Sequence, residues 1–404
     1  MDKIRFYIAP CGIGLGHANR SIRIANKIAN LSEAYSVRPL ILFSTYGSAV
    51  SLINKEGFPV CSVPEITYYQ KPDGTFDFKQ TMGRGIRFLK RFLDQIALEI
   101  KFIDRFNADV VISDSRLSSI IAAKVLGKPS ILVINQLALI IPRTRPMSPS
   151  IKAIKTAAER IISQVFSYMW NFSNKIMVPD LPSKYAICKR NIVGLESDGD
   201  KIEFAGPIIE VDPRSLPSKE YLKLKLNISS STPFIFTVIS GVAFEKISLA
   251  KILIRFFKEL GSKYFSIITL SNPKGRKLLY DRGNLKIYNW VENYYWYLKA
   301  CDLNMNHAGH TSVIESICYG LPMILFPAKG HTERFSNALA AQSLGVARVL
   351  TYNNLSLASF RDAIEYLLTD IRVKRRVKLL QRMALEMDGA KRIAELAFKL
   401  AWRS

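Results

Sequence analysis

Residues Cys301 to Asn337 read CDLNMNHAGHTSVIESICYGLPMILFPAKGHTERFSN, in the order strand, tight loop, helix, strand, loop. Cys301 to Asn306 alternates and ends a strand, His307 to Ser312 is small and polar, and Val313 to Tyr319 has helical spacing until Gly320 stops it. Pro322 to Pro327 is a second strand. A short loop that opens directly into a helix presents free backbone N–H groups at the positive end of the helix dipole, where a phosphate binds without a dedicated cation. Gly309 lets the backbone approach closely, and Thr311 and Ser312 are placed to cap the helix or to bond the anion. Glu315 falls one turn inside, where a carboxylate accepts hydrogen bonds from a ribose diol, as an acidic residue does in dinucleotide sites. Each residue also has a plainer use, a cap for the Ser/Thr pair and a dipole partner for the Glu. Their combination is what points to a nucleotide.

The run His307-x-Gly309-x-x-Ser312-x-x-Glu315, followed by Gly320-x-Pro322, a strand and Glu333-x-x-x-Asn337, resembles the nucleotide-sugar signature in the C-terminal domain of GT-B glycosyltransferases, both MurG-like and UDP-glucuronosyltransferase-like. The resemblance implies a donor site that also takes in His310, Gly241 in the phosphate-facing loop and Val291, beside which backbone groups hold the base. Two departures stand out. Only Gly241 remains of that glycine-rich loop, and Glu333 is followed by Arg334 where the family has Gln, so a guanidinium is offered to a sugar or phosphate oxygen.

With 404 residues the chain has length for about two domains. No stretch reaches the roughly 18 uncharged apolar residues of a membrane span, and MDKIRFYIAP runs straight into a strand without the pattern of a signal peptide, which places the protein inside the cell. Five scattered cysteines without metal spacing fit reduced thiols. The net charge of +24 is spread over both halves and suits an anionic partner, either a membrane surface or phosphorylated substrates. Neither a nucleic-acid module nor a basic tail is present, so nucleic acid is not expected.

Towards the N-terminus, Ile4 to Pro10 leads through Gly12-Ile13-Gly14-Leu15-Gly16-His17-Ala18-Asn19-Arg20 into an amphipathic helix from Ser21 to Leu31. Strand, Gly-rich turn and helix open a Rossmann-like unit. His17 ends the turn at the mouth of the sheet, where a neutral imidazole takes a proton from an acceptor hydroxyl. Gly-x-Gly-His with Arg20 resembles the first loop of archaeal MurG-like glycosyltransferases, which implies an acceptor-side loop containing Gly14, Gly16 and Arg20, with the histidine as base. A strand ending in Asp114, a helix, Gly-Lys-Pro and a strand ending in Asn135-Gln136 continue that resemblance. Asp114 either supports His17 or caps a helix. The Asp198-Gly199-Asp200 run lies in a polar loop and reads as a turn.

The expected fold is α/β of GT-B type, two Rossmann-like domains facing across a cleft: residues 1–185 for the acceptor, a linker at 186–200, residues 201–370 for the donor, and a helix from 371 crossing back. Ile202 to Phe204 is expected to enter the second domain. The expected reaction is sugar transfer from a nucleotide-diphosphate sugar, UDP-linked, to an acceptor hydroxyl, with His17 as base, His307 and the Ser312 helix holding the diphosphate, and neither metal nor cofactor. Two other classes share the fold: a hydrolysing UDP-sugar 2-epimerase, faintly echoed by Thr332-Glu333-Arg334, and a non-catalytic nucleotide-sugar-binding subunit. The helices Met82 to Phe106, with Arg84, Arg87, Lys90 and Arg91 beside Phe88 and Phe92, and Ser150 to Asn171 combine cations with apolar residues. They suggest a lipid-linked or glycan acceptor met at an anionic membrane surface, peripherally on the inner face of the cell membrane.

Overall fold

The structure, a computed structural model, describes residues 2–13, 15–66, 85–136, 147–192, 201–240, 243–272, 277–327, 331–352 and 354–403. Gly14, Arg84, Gly241, the 198–200 turn and the start of the helix expected from Met82 lie outside them.

The first sheet contains β1 (Lys3–Pro10), β2 (Arg38–Thr45), β3 (Val60–Ser62), β4 (Val110–Asp114), β5 (Ser130–Val133), β6 (Lys175–Val178) and β7 (Ile202–Phe204). They pair in the order β3-β2-β1-β4-β5-β6-β7, all parallel. The second contains β8 (Phe234–Val238), β9 (Phe265–Thr269), β10 (Leu278–Arg282), β11 (Leu285–Tyr288), β12 (Leu303–Asn306), β13 (Met323–Leu325) and β14 (Ala347–Val349), ordered β10-β11-β9-β8-β12-β13-β14. Only the β10–β11 edge is antiparallel. Every residue of β4, β8 and β12 is buried, as expected of parallel strands covered by helices on both faces.

Both sheets are doubly wound, and each has one point where the strand order reverses, between β1 and β4 and between β8 and β12. Loops leaving neighbouring strands part company there, so a ligand fits outside the carboxyl ends. These points bring together Asp114 at the end of β4 and His17 in the helix after β1 in one sheet, and Ser240 and His307 in the other.

Helix 85–106 is tied to the first sheet by a carboxylate buried in its middle. Glu99 accepts from Tyr7 Oη at 2.7 Å and Ser44 Oγ at 2.6 Å and pairs with buried Arg116. A lone charge at that depth would be prohibitive; the three donors together make it tolerable.

Two details differ from the sequence reading. Ile202–Phe204 does not enter the second domain, because Ile176, Met177 and Val178 pair with it as the seventh strand of the first sheet. A three-residue strand is too short to show periodicity. The returning helix is two helices, Ile371–Leu385 and Gly389–Ala401. Val373, Val377 and Leu380 of the former join the second core. Ile393, Ala397 and Phe398 of the latter join the first, Phe398 meeting the Phe6 ring edge-on at 5.0 Å. Asp388 caps the new helix by accepting from Lys391 N at 2.9 Å. At this break a Cβ on Gly389 would lie 2.3 Å from the carbonyl oxygen of Gly206, so the chain's two interdomain crossings touch backbone to backbone.

Candidate active site

On the first domain, helix Gly16–Ala34 starts at the carboxyl edge of β1 and places His17 in its first turn. His17 Nδ1 lies 2.8 Å from Asp114 Oδ1, and Arg20 completes the group, Nε donating to Oδ2 at 2.7 Å and Nη2 to Oδ1 at 2.5 Å. Asp114 closes β4 and is fully buried. Burial opposes its charge, but Arg20 and then His17 outweigh that and hold the carboxyl far below its ordinary range. An ionised carboxylate only accepts, so Nδ1 carries the hydrogen and Nε2 of the partly exposed imidazole keeps a basic lone pair. Of the two sequence readings of Asp114, the geometry favours support of His17, since the helix that follows has no side-chain cap.

On the second domain, His307 leaves β12 buried, and its Nδ1 donates to the carbonyl oxygen of Ser240 at the end of β8. Burial, reinforced by the charge of Arg334, pulls the imidazole down to about 4, so it is neutral near pH 7. Ala308 turns the chain at φ +58°, its N–H held by Asn306 Oδ1 at 2.8 Å, and buried Asn337 supports the turn by donating to Ala308 O at 3.2 Å. Helix His310–Cys318 then opens from Gly309 without a side-chain cap. Thr311 and Ser312 are therefore first-turn residues rather than caps. A Cβ on Gly16 would lie 3.7 Å from Thr311 Oγ1, so the two switch-point loops face each other closely.

The remaining predicted residues divide. Glu315 is buried with Tyr295 Oη at 3.3 Å, Tyr294 Oη at 3.5 Å and Arg23 Nη2 at 3.9 Å. Burial pushes its carboxyl up from the ordinary value, against the pull of Arg23. Glu333 accepts from Asn135 Nδ2 of the first domain at 3.0 Å, a bond spanning the cleft. Arg334 lies near enough to His307 and His331 for its charge to depress both imidazoles. His310 points elsewhere: its Nε2 meets Asp180 Oδ2 at 3.0 Å. Asp180 also accepts from the N–H groups of Leu181 and Cys188, so the three ligand-type side chains Asp180, Cys188 and His310 form a satisfied strut between the domains. The side chain of Val291 lies in the second core.

Sequence reading missed Arg23, Tyr294, Tyr295 and the Ser240 carbonyl. Arg23 was discoverable, since His17, Arg20 and Arg23 recur every three residues along one helix and so share a face. The tyrosines gave no signal, because aromatic residues in a short helix read equally well as core.

Residues 258–395 match the glycosyltransferase family 28 C-terminal domain. Over 400 residues, 98% of each chain, the sequence is 27% identical to an uncharacterized glycosyltransferase of Methanosarcina acetivorans. Over 161 residues, 38% of this chain and 43% of the other, it is 27% identical to the UDP-N-acetylglucosamine--N-acetylmuramyl-(pentapeptide) pyrophosphoryl-undecaprenol N-acetylglucosamine transferase of Lactobacillus acidophilus. Among solved structures, spinosyn rhamnosyltransferase SpnG complexed with thymidine diphosphate superimposes with a TM-score of 0.65 at 15% identity, covering 97% of this chain and 100% of that one. The architecture is thus that of the GT-B class, two doubly wound domains meeting at their switch points. Within that class the chain is a glycosyltransferase that is similar over residues 258–395 to the family 28 C-terminal domain and has archaeal and MurG-like relatives.

Proposed function

We propose that the protein transfers a sugar from a UDP-sugar to a hydroxyl of a lipid-linked acceptor at an anionic membrane surface, on its inner face, without a metal. The observation that carries this reading is the His17–Asp114 pair on one switch point, facing the uncapped helix N-terminus at Gly309–Ser312 on the other. The acceptor O–H gives its proton to His17 Nε2 while the oxygen attacks the anomeric carbon. The bond from that carbon to the diphosphate breaks, and the anion is held by the N–H groups of the first helical turn. Glu315 takes the ribose hydroxyls. Glu333, Arg334 and Asn135 surround the sugar, and Asn337 keeps the loop in shape.

Two features support the acceptor class. The Lactobacillus relative acts, by its name, on an undecaprenol-linked substrate. The acceptor-side domain also exposes apolar side chains among cations: Phe88, Leu89 and Leu93 beside Arg87, Lys90 and Arg91, and Ile154, Ile161 and Tyr168 beside Lys152, Lys155 and Arg160. No described helix is long and apolar enough to cross a membrane, so such a surface would hold the protein peripherally. The test is incubation with a panel of radiolabelled UDP-sugars, with and without polyprenyl-linked glycans. Label should move to the lipid fraction only when acceptor is present. Turnover of the UDP-sugar alone would instead identify an epimerase or hydrolase.

A further inference from the structure

Resting on the reading above, we propose that His307 is a second proton-carrying catalytic group: it takes a proton on Nε2 when the donor arrives and presents it to the departing diphosphate. The Ser240 contact sets the tautomer. A carbonyl oxygen only accepts, so the hydrogen of a neutral His307 is fixed on Nδ1 and Nε2 is left with a lone pair. Nε2 bonds none of the described residues. His307 stands three residues before the first turn of helix His310–Cys318, where the diphosphate is to sit. Phosphate oxygens also only accept. A lone pair facing an anionic oxygen repels it, so the contact forms only with an added proton on Nε2.

The surroundings make that proton depend on the donor. The charged and titratable groups bearing on His307 are Arg334 and His331 from the segment opening helix Thr332–Ser343, and Lys246 from helix Ala243–Leu260. All three, like burial itself, disfavour a second cation. Only the Ser240 carbonyl favours it. A diphosphate carrying two negative charges reverses this balance, since an opposite charge within hydrogen-bonding range stabilises the protonated form. The protons balance. Solvent supplies one proton to His307 on donor binding, the acceptor hydroxyl gives one to His17, and His17 returns one to solvent after transfer. As the bond to the anomeric carbon breaks, its electron pair goes to the β-phosphate oxygen that receives the Nε2 hydrogen.

Calorimetric titration of the whole protein with UDP-N-acetylglucosamine and UDP-glucose tests this. Their diphosphates have no group titrating near neutrality, so proton uptake reports on the protein. Titrations at about pH 6.5, where His307 is neutral in the free protein and an opposite charge can still restore the proton, in two buffers of different ionisation enthalpy should show close to one proton taken up per UDP-sugar bound. Uridine, which lacks phosphate, should show close to none. His307→Gln, whose amide donates without protonation, should bind with uptake abolished. Its affinity should be flat with pH where that of the wild type falls by about tenfold per pH unit, between the pKa of the free imidazole and that of the complex. Binding without uptake by the wild type, or equal uptake with uridine, overturns the proposal and leaves the donor site standing; both measurements use the wild type and so decide the matter even if the variant does not fold. Failure of UDP, uridine and both UDP-sugars to bind overturns the donor-site reading and this proposal with it.

Discussion

Replacing Glu315 by Gln isolates the proposed ribose contact, because the change keeps shape and removes only charge. The fold should survive it. Arg23 retains Ile208 O at 2.9 Å and Glu210 at 3.0 Å, and the amide oxygen of a glutamine still accepts from Tyr295, now 3.3 Å from the carboxylate. The loss falls on the ligand. A hydrogen bond to a charged group is worth about 1.5–3 kcal/mol, which is roughly a ten- to 150-fold weaker Kd. Titration with UDP, uridine and pyrophosphate locates it: UDP and uridine should weaken together while pyrophosphate is unaffected. The pH dependence has a definite sign as well. Burial raises the Glu315 pKa above its ordinary 4.5, so as pH falls through the raised value the carboxyl protonates and uridine affinity declines. The same shift means that the folded state gains from this group at low pH and loses that gain as pH rises through the folded pKa. Unchanged uridine affinity in the folded variant, or an equal loss with pyrophosphate, would refute the ribose assignment.

Asp114→Asn leaves the carboxamide no satisfactory orientation: its NH2 faces either Arg20 Nε or His17 Nδ1, and the second choice moves the imidazole hydrogen to Nε2. Transfer should fall by about 10²–10⁴ with UDP affinity unchanged, measured by label transfer and calorimetry on protein checked by circular dichroism. Gly389→Ala drives a methyl group to 2.3 Å from Gly206 O, where both partners are backbone, and overpacking of this kind costs about 1–3 kcal/mol, visible as a lowered Tm. Liposome co-sedimentation should require anionic lipid and weaken with salt, and changing Arg87, Lys90 and Arg91 to Gln should remove about 1 kcal/mol per charge; binding indifferent to lipid charge would count against the membrane surface.

The fold is legible where local chemistry and global topology coincide. His307 to Glu315 needs a strand before it and a helix after it to bind an anion, and the sequence has both, so one loop reveals the second domain and its switch point together. The same holds for His17 and the end of β1. What cannot be read depends on contacts across long separations. Arg23 and Glu315 are 292 positions apart, and nothing local distinguishes an arginine bound for a carboxylate in the other domain from one facing solvent. His310 misleads for a related reason: it occupies a motif position, but Asp180 draws its ring away from the cleft. The last two helices read as one because apolar periodicity continues through Met387-Asp388-Gly389, and only the close meeting of Gly389 with Gly206 makes that tripeptide a crossing point instead of a tolerated irregularity.

On the proposed reading, donor binding is an exchange of partners rather than the filling of a free site. The two carboxylates proposed to read the donor are already met by groups of the first domain, Glu315 by Arg23 and Glu333 by Asn135. Arg23 is only 10% exposed at its side chain and lies on the same helix as His17. Ribose and sugar hydroxyls arriving at these carboxylates must share or displace contacts that hold the domains together, so donor affinity measures a difference between two sets of hydrogen bonds. The diphosphate behaves otherwise. Among the described residues, the uncapped N–H groups of the His310 helix and the bare Nε2 of His307 have no partner from the opposite domain to give up. On the proposed reading, discrimination between donors would then be tested by Arg23→Lys, which should change the relative affinities for UDP-glucose and UDP-N-acetylglucosamine if the Arg23–Glu315 contact is coupled to donor binding.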